Sequence, residues 1–86
     1  MTINYQDTLI NIIELTMMFK EQFNCDLWFN FVEDKIEVEI YSGKTCNRWY
    51  MFIEYQFGID DVINEFKEIV VRDTLKAEVE YWKNIN

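Results

Sequence analysis

Between Cys25 and Tyr41 an apolar side chain falls on every second position, and that alternation leaves the chain few ways to fold there. Cys25, Leu27, Phe29 and Phe31 alternate with Asp26, Trp28 and Asn30; beyond Glu33-Asp34, Ile36, Val38 and Ile40 alternate with Glu37, Glu39 and Tyr41. A strand sends successive side chains to opposite sides, so each run has one apolar face. Turning the chain at Glu33-Asp34 sets Phe31 opposite Ile36, Phe29 opposite Val38 and Leu27 opposite Ile40. A slip of one residue would throw every one of these side chains onto the wrong face. The spacing therefore predicts an antiparallel hairpin in that register.

A third strand is expected from about Arg48 to Gln56, with Trp49, Met51, Ile53 and Tyr55 on one face and Arg48, Tyr50, Phe52 and Glu54 on the other. Between strands two and three, Gly43-Lys44-Thr45 has the ending of a phosphate-binding loop. Such a loop needs a glycine five residues earlier and a helix immediately after. The position five before Gly43 is Val38, in mid-strand, and strand follows. Ser42 to Thr45 is accordingly expected to be a hairpin turn, with Gly43 supplying backbone freedom, and no nucleotide site is expected.

Helices are expected at both ends. Over residues 4 to 23, Leu9, Ile12, Ile13, Thr16, Met17, Phe19 and Phe23 recur at three- and four-residue spacing, the signature of an apolar stripe. After Gly58, with Asp60 or Asp61 as cap, Val62, Ile63, Phe66, Ile69 and Val70 form a second stripe. Its phase slips near Arg72-Asp73-Thr74 and resumes with Leu75, Val79, Trp82 and Ile85. Asp73 is a candidate cap for a new helix, so a bent helix or two short ones are expected. The expected fold is α+β: an N-terminal helix, a three-stranded antiparallel meander, and one bent or two short C-terminal helices packed on one face of the sheet. Eighty-six residues leave room for one compact domain, residues 1–86.

Composition narrows the function. The net charge is −8, from 16 acidic and 8 basic residues, yet half the residues are hydrophobic and 17% aromatic, which does not fit the disordered signature. The start MTINYQDTLINII has no basic residue ahead of its apolar part, unlike a secretory signal. No apolar run approaches the ~20 residues of a membrane span. The expected location is the cytoplasm, where the two cysteines, Cys25 and Cys46, would remain reduced thiols. With no histidine in the chain, the usual general base and metal ligand is missing. No catalytic residue, metal or cofactor is assigned, and an enzyme is not expected.

Two surfaces remain as partner-binding candidates. If the helices cover the Leu27/Val38/Met51 side of the sheet, the other side carries Asp26, Trp28, Asn30, Glu37, Glu39, Tyr41, Arg48, Tyr50, Phe52 and Glu54, and its four aromatics, Trp28, Tyr41, Tyr50 and Phe52, make a patch of the kind that marks interaction sites. The acidic candidates are Glu37 and Glu39 on the strands and Asp60, Asp61, Glu65 and Glu68 on the helix. Of these, Asp61, Glu65 and Glu68 fall at i, i+4 and i+7 along one helix face, and Glu68 is placed to pair with Arg72. So acidic a chain repels DNA and RNA and attracts a basic protein. Membrane partners are not expected, and the alternative use of the aromatic face is homodimerisation as a structural or regulatory subunit.

Ile, Asn, Lys, Phe and Tyr total 37 residues while Ala, Gly, Pro and Arg total 5, a balance set by AT-rich codons and hence by a low-GC bacterium or its phage. With that balance, the acidic charge, the opening MTINYQDTLINII and the helix–three strands–helices order, the chain resembles the small phage-encoded anti-CRISPR inhibitors of type II nucleases, some of which mimic DNA. The resemblance implies an inhibitor of a defence nuclease, with Asp60, Asp61, Glu65, Glu68, Glu37 and Glu39 as phosphate surrogates. Acidic immunity proteins against nuclease toxins would carry a similar signature.

Overall fold

The computed structural model describes residues 4–85, with the side chain of Ile85 outside the described set. The chain is α+β: helix α1 (Tyr5–Phe23), strands β1 (Cys25–Phe31), β2 (Ile36–Ser42) and β3 (Arg48–Ile53), then helix α2 (Ile59–Ile85). The strands form one antiparallel sheet in the order β1-β2-β3. Its first hairpin has the register read from the alternation, Phe31 opposite Ile36, Phe29 opposite Val38 and Leu27 opposite Ile40. In β2 the result is a strict inward-outward pattern, with Ile36, Val38, Ile40 and Ser42 buried and Glu37, Glu39 and Tyr41 half-buried on the other side.

The β2–β3 connection is a hairpin, and a strand follows it. Ser42 N–H donates to the Asn47 carbonyl at 2.9 Å and Cys46 N–H to the Ser42 carbonyl at 2.8 Å. The left-handed residue is not Gly43, as the sequence suggested, but Cys46 at φ 59°. The chain reverses only after its amide has closed back onto Ser42, so the unusual backbone angle falls at the end of the loop. Strand β3 stops at Ile53, three residues short of the expected end, and Tyr55 and Phe57 enter the core from the connection instead.

Asn4 caps α1, its side chain accepting from Asp7 N–H, and Asn24 closes the helix in the left-handed conformation with its N–H on the Phe19 and Lys20 carbonyls. The buried positions of α1 are Thr8, Leu15 and Phe19, with Ile12 and Phe23 half-buried. That face is displaced from the expected stripe: Leu9, Ile13 and Met17 are exposed. Thr8 explains the choice, because its hydroxyl donates to the Tyr55 carbonyl at 2.8 Å and ties that face of α1 to the chain leaving β3.

Helix α2 starts one residue before the expected caps. Gly58 accepts the first helical hydrogen bond, from Val62 N–H, and Asp60 and Asp61 lie in the first turn, where their charge favours the helix dipole. The helix then runs unbroken to Ile85, and Asp73 caps nothing. Thr74 returns its hydroxyl to the Val70 carbonyl at 2.9 Å, so the one helix-disfavouring residue at the slip is satisfied within the helix. Val62, Ile63 and Phe66 are buried and Ile69 and Val70 half-buried, but every described side chain from Val71 onward is exposed. Leu75 lies five residues beyond Val70, a rotation of about 500°, which puts it roughly 140° round the helix. The two apolar stripes occupy opposite sides of one continuous run, and the expected return of Leu75, Val79 and Trp82 to the core does not occur.

The result is a small head with a projecting helix, 56 × 26 × 19 Å overall. Its radius of gyration is 15.1 Å, against about 12 Å for a compact chain of this length. Cys25 is buried and Cys46 exposed, both as free thiols. Burial, followed by the charge of Asp26, pushes the Cys25 thiol above its ordinary range.

Two outcomes check these assignments. Phe19→Ala is expected to lose about 3–5 kcal/mol of unfolding free energy in a urea titration, whereas Ile13→Ser changes it by less than about 0.5 kcal/mol. In thiol labelling at mildly alkaline pH, Cys46 is expected to react at the rate of a free thiol and Cys25 only after unfolding. Because the folded Cys25 value is raised, stability should be intact below the ordinary thiol range and decline as pH rises through and above it.

Candidate partner-binding surface

The face of the sheet turned away from α1 is a grid of three ranks set by the strand register. Asp26, Tyr41 and Arg48 stand in one rank, Trp28, Glu39 and Tyr50 in the next, and Asn30, Glu37 and Phe52 in the third. Directly opposed residues on neighbouring strands have β-carbons about 4.5–5.5 Å apart. Glu39 is therefore flanked by an indole and a phenol, and Glu37 by an amide and a phenyl ring. Trp28 is 68% exposed, Tyr50 56% and Phe52 58%, so the rings stand in water while the two carboxylates between them are half-buried.

Arg48 shows what this face can hold. Its guanidinium lies 5.5 Å from the centre of the Tyr41 ring and 3.6 Å from a Glu39 carboxylate oxygen. An aromatic face and a carboxylate together receive a cation, the ring through its quadrupole and the carboxylate through charge. The Tyr41 phenol is held above its ordinary pKa, first by the Cys46 side chain. Lys20–Asp26 at 3.2 Å is the other ion pair among the described residues. Glu37 has none, and the expected Glu68–Arg72 pair does not form.

The structure places Glu37 and Glu39 on the face of the four aromatic candidates, Trp28, Tyr41, Tyr50 and Phe52, as the alternation predicts, and the pairing shows which of them stand side by side. Glu65 belongs to the same neighbourhood, because it lines a groove between α2 and the outward rings of Tyr50 and Phe52, together with Arg72 and Lys76. Asp60, Asp61 and Glu68 are exposed on α2 outside that groove. The part played by Arg48 escaped the sequence reading. Closing the second hairpin between Ser42 and Asn47 would have set Tyr41 opposite Arg48 and revealed it.

Between α2 and the sheet lies an open cleft of about 620 Å³ with a mixed lining, apolar from Phe23, Cys25, Trp49, Phe66, Val70 and Ala77 and polar from Ser42, Thr45, Asn47, Arg48, Asp73 and Thr74. Among the described residues no group of three or more His, Cys, Asp or Glu side chains is placed to hold a metal, and no helix is long and apolar enough to cross a membrane. No family model, curated protein or solved structure matches the chain.

Proposed function

We propose that the protein binds the basic, nucleic-acid-contacting surface of another protein and blocks it, acting in a bacterial cytoplasm as a DNA-mimic inhibitor of the phage anti-defence kind. The observation that carries the reading is the rank Trp28–Glu39–Tyr50, a carboxylate held between two exposed aromatic rings. Surfaces that grip phosphates present arginine and lysine, and those are the groups this face receives. The rings lower the local dielectric around the carboxylates, and a guanidinium laid on an aromatic face contributes about 0.5–2 kcal/mol beyond its ion pair. The acidic residues of α2 add the long-range part: Asp61, Glu65 and Glu68 are exposed and spaced about 5–6 Å apart on successive turns, a row that a phosphate-binding groove would accept, with the exposed Asp60 beside it at the helix start.

The same geometry argues against self-pairing through the sheet. A two-fold contact on this face would set Glu37 and Glu39 against the carboxylates of the second copy, with one Arg48 from each copy to offset four negative charges. Like charges opposed in a drying interface cost several kcal/mol.

The test is capture of a partner from a low-GC bacterial lysate, followed by competition. The captured protein is expected to bind nucleic acid and to be displaced by duplex DNA. Trp28→Ala and Glu39→Gln should each weaken the complex by about tenfold or more, without changing the urea midpoint appreciably. A captured protein that DNA does not displace, held equally by wild type and both variants, would overturn the proposal.

Charge gives a second, kinetic expectation. Glu65→Lys with Glu68→Lys should slow association more than it speeds dissociation, because exposed charges act mainly on encounter. The wild-type association rate should also fall with added salt, as the screening length drops below about 10 Å above 0.1 M. Both side chains are exposed, so the double variant should keep its fold. Unaltered rates and salt dependence in that variant would remove the acidic row from the mechanism.

A further inference from the structure

Helix α2 continues well beyond the head, and its projecting half carries an apolar stripe with nothing in the chain to cover it. Leu75, Val79 and Trp82 are 55%, 52% and 58% exposed, and Val71, one turn earlier, is 57% exposed. Leu75 to Val79 is four residues and Val79 to Trp82 three, the alternating step of a coiled-coil seam. Charge identifies what can pair with it. Residues 1–70 hold thirteen acidic and five basic side chains, whereas residues 71–86 hold three of each, so the whole net charge of −8 sits on the head. A basic partner has nothing to attract it to this segment, and a second copy of the segment meets no net repulsion.

From these observations we propose that the projecting half of α2 pairs with the same segment of a second copy, as a short parallel coiled coil. The orientation follows from the residues that flank the seam. Glu78 lies on one flank, and Lys76 and Lys83 on the other. Parallel pairing brings each Glu78 beside the partner's Lys83, across the seam on both sides. Antiparallel pairing would oppose glutamate to glutamate and lysine to lysine. A seam of three apolar residues over one heptad, with Arg72 at the seam position before Leu75, is too short for an isolated peptide, but its helix is already nucleated by the anchored half, which removes the largest cost of forming one. A micromolar dimer is the consequence. This surface is distinct from the sheet face, and its test does not depend on the partner proposed for that face.

Sedimentation of the full chain from about 1 to about 500 µM should show a monomer passing to a dimer by mass action. Leu75→Glu with Trp82→Ser should raise the dissociation constant at least about 100-fold, while Trp28→Ser with Phe52→Ser leaves it unchanged. Glu78→Lys alone should weaken the dimer several-fold, and adding Lys83→Glu should restore it. In a Cys46→Ser background, Leu75→Cys should form an interchain disulfide on mild oxidation, since parallel pairing brings identical seam positions together. A monomer throughout the range overturns the proposal. So does a dimer that survives Leu75→Glu with Trp82→Ser, or one abolished by the sheet variant. The urea midpoint of each variant at 1 µM completes the test: loss of the folded head in the Leu75/Trp82 variant would make those side chains core and would equally overturn it.

Discussion

Everything in this molecule hangs on the ring of Phe66. It lies 4.9 Å from Phe19, 5.2 Å from Phe23 and 5.3 Å from Trp49, centre to centre, and so is in contact at once with α1, with the end of α1 where the chain turns into β1, and with β3. Tilted and edge-on aromatic contacts of this kind add about 0.5–1.5 kcal/mol per pair to the burial of the rings. In an 86-residue chain that buries only about 60% of its unfolded surface, this one junction is what holds a 27-residue helix to a three-stranded sheet. Val62 and Ile63 complete the seat on the N-terminal side of Phe66, Ile69 and Val70 on the other. Past Val70 no described side chain of the helix is buried; Asp73, Thr74 and Ala77 only flank the open cleft beside the sheet, and beyond them the helix continues without a core to cover.

The parts of this fold that were legible in the sequence are those where one periodicity leaves no alternative. The β1–β2 register is the clearest case, since Leu27, Phe29, Phe31 and Ile36, Val38, Ile40 can all face one side in only one pairing. Helix α1 is the opposite case. Leu9, Ile10, Ile12, Ile13, Leu15, Met17, Met18 and Phe19 are apolar nearly all round the helix, so several stripes fit the pattern equally well. The face that is buried is decided by a polar residue, Thr8, and its hydrogen bond to a carbonyl 47 positions away. Helix α2 misled for a related reason. A slip in phase resembles a break when every apolar residue is assumed to serve one core. Here the helix is continuous and the purpose of the stripe changes.

The candidate site was half legible. Alternation alone sets Glu37 and Glu39 on the face of Trp28, Tyr41, Tyr50 and Phe52, and the β2–β3 pairing adds which side chains stand opposite one another. The pairing decides the neighbours of each carboxylate. Glu37 and Glu39 on a solvated strand would be ordinary screened carboxylates. On the central strand Glu39 stands between Trp28 and Tyr50 and Glu37 between Asn30 and Phe52, and both are half-buried. Arg48 already occupies one corner of this arrangement on Tyr41 and Glu39, which leaves Glu37 as the carboxylate without a cation. The aromatic rings also carry the energetic argument for a partner, because three large side chains more than half exposed in so small a head are a cost that an interface removes.

The distribution of charge along the chain divides the labour between the two ends. The head carries the full −8 and the face that accepts cations, while the projecting half of α2 is neutral and apolar on one side. Parallel pairing of two such helices would place both heads at the same end of the assembly, with their sheet faces available together. If the sheet face binds a basic partner as proposed, two such faces on one paired stalk would reach an extended basic surface as a bivalent ligand, where the second contact would form at an effective concentration set by the stalk instead of by the solution. A stretch of nucleic acid is itself a repeating array of negative charge, and a groove built for it offers more than one place to bind. A short acidic chain becomes a more convincing imitation of that array by repeating itself across a symmetry axis than by lengthening a single row of carboxylates, since every added acid on one chain increases the self-repulsion that its small core must withstand.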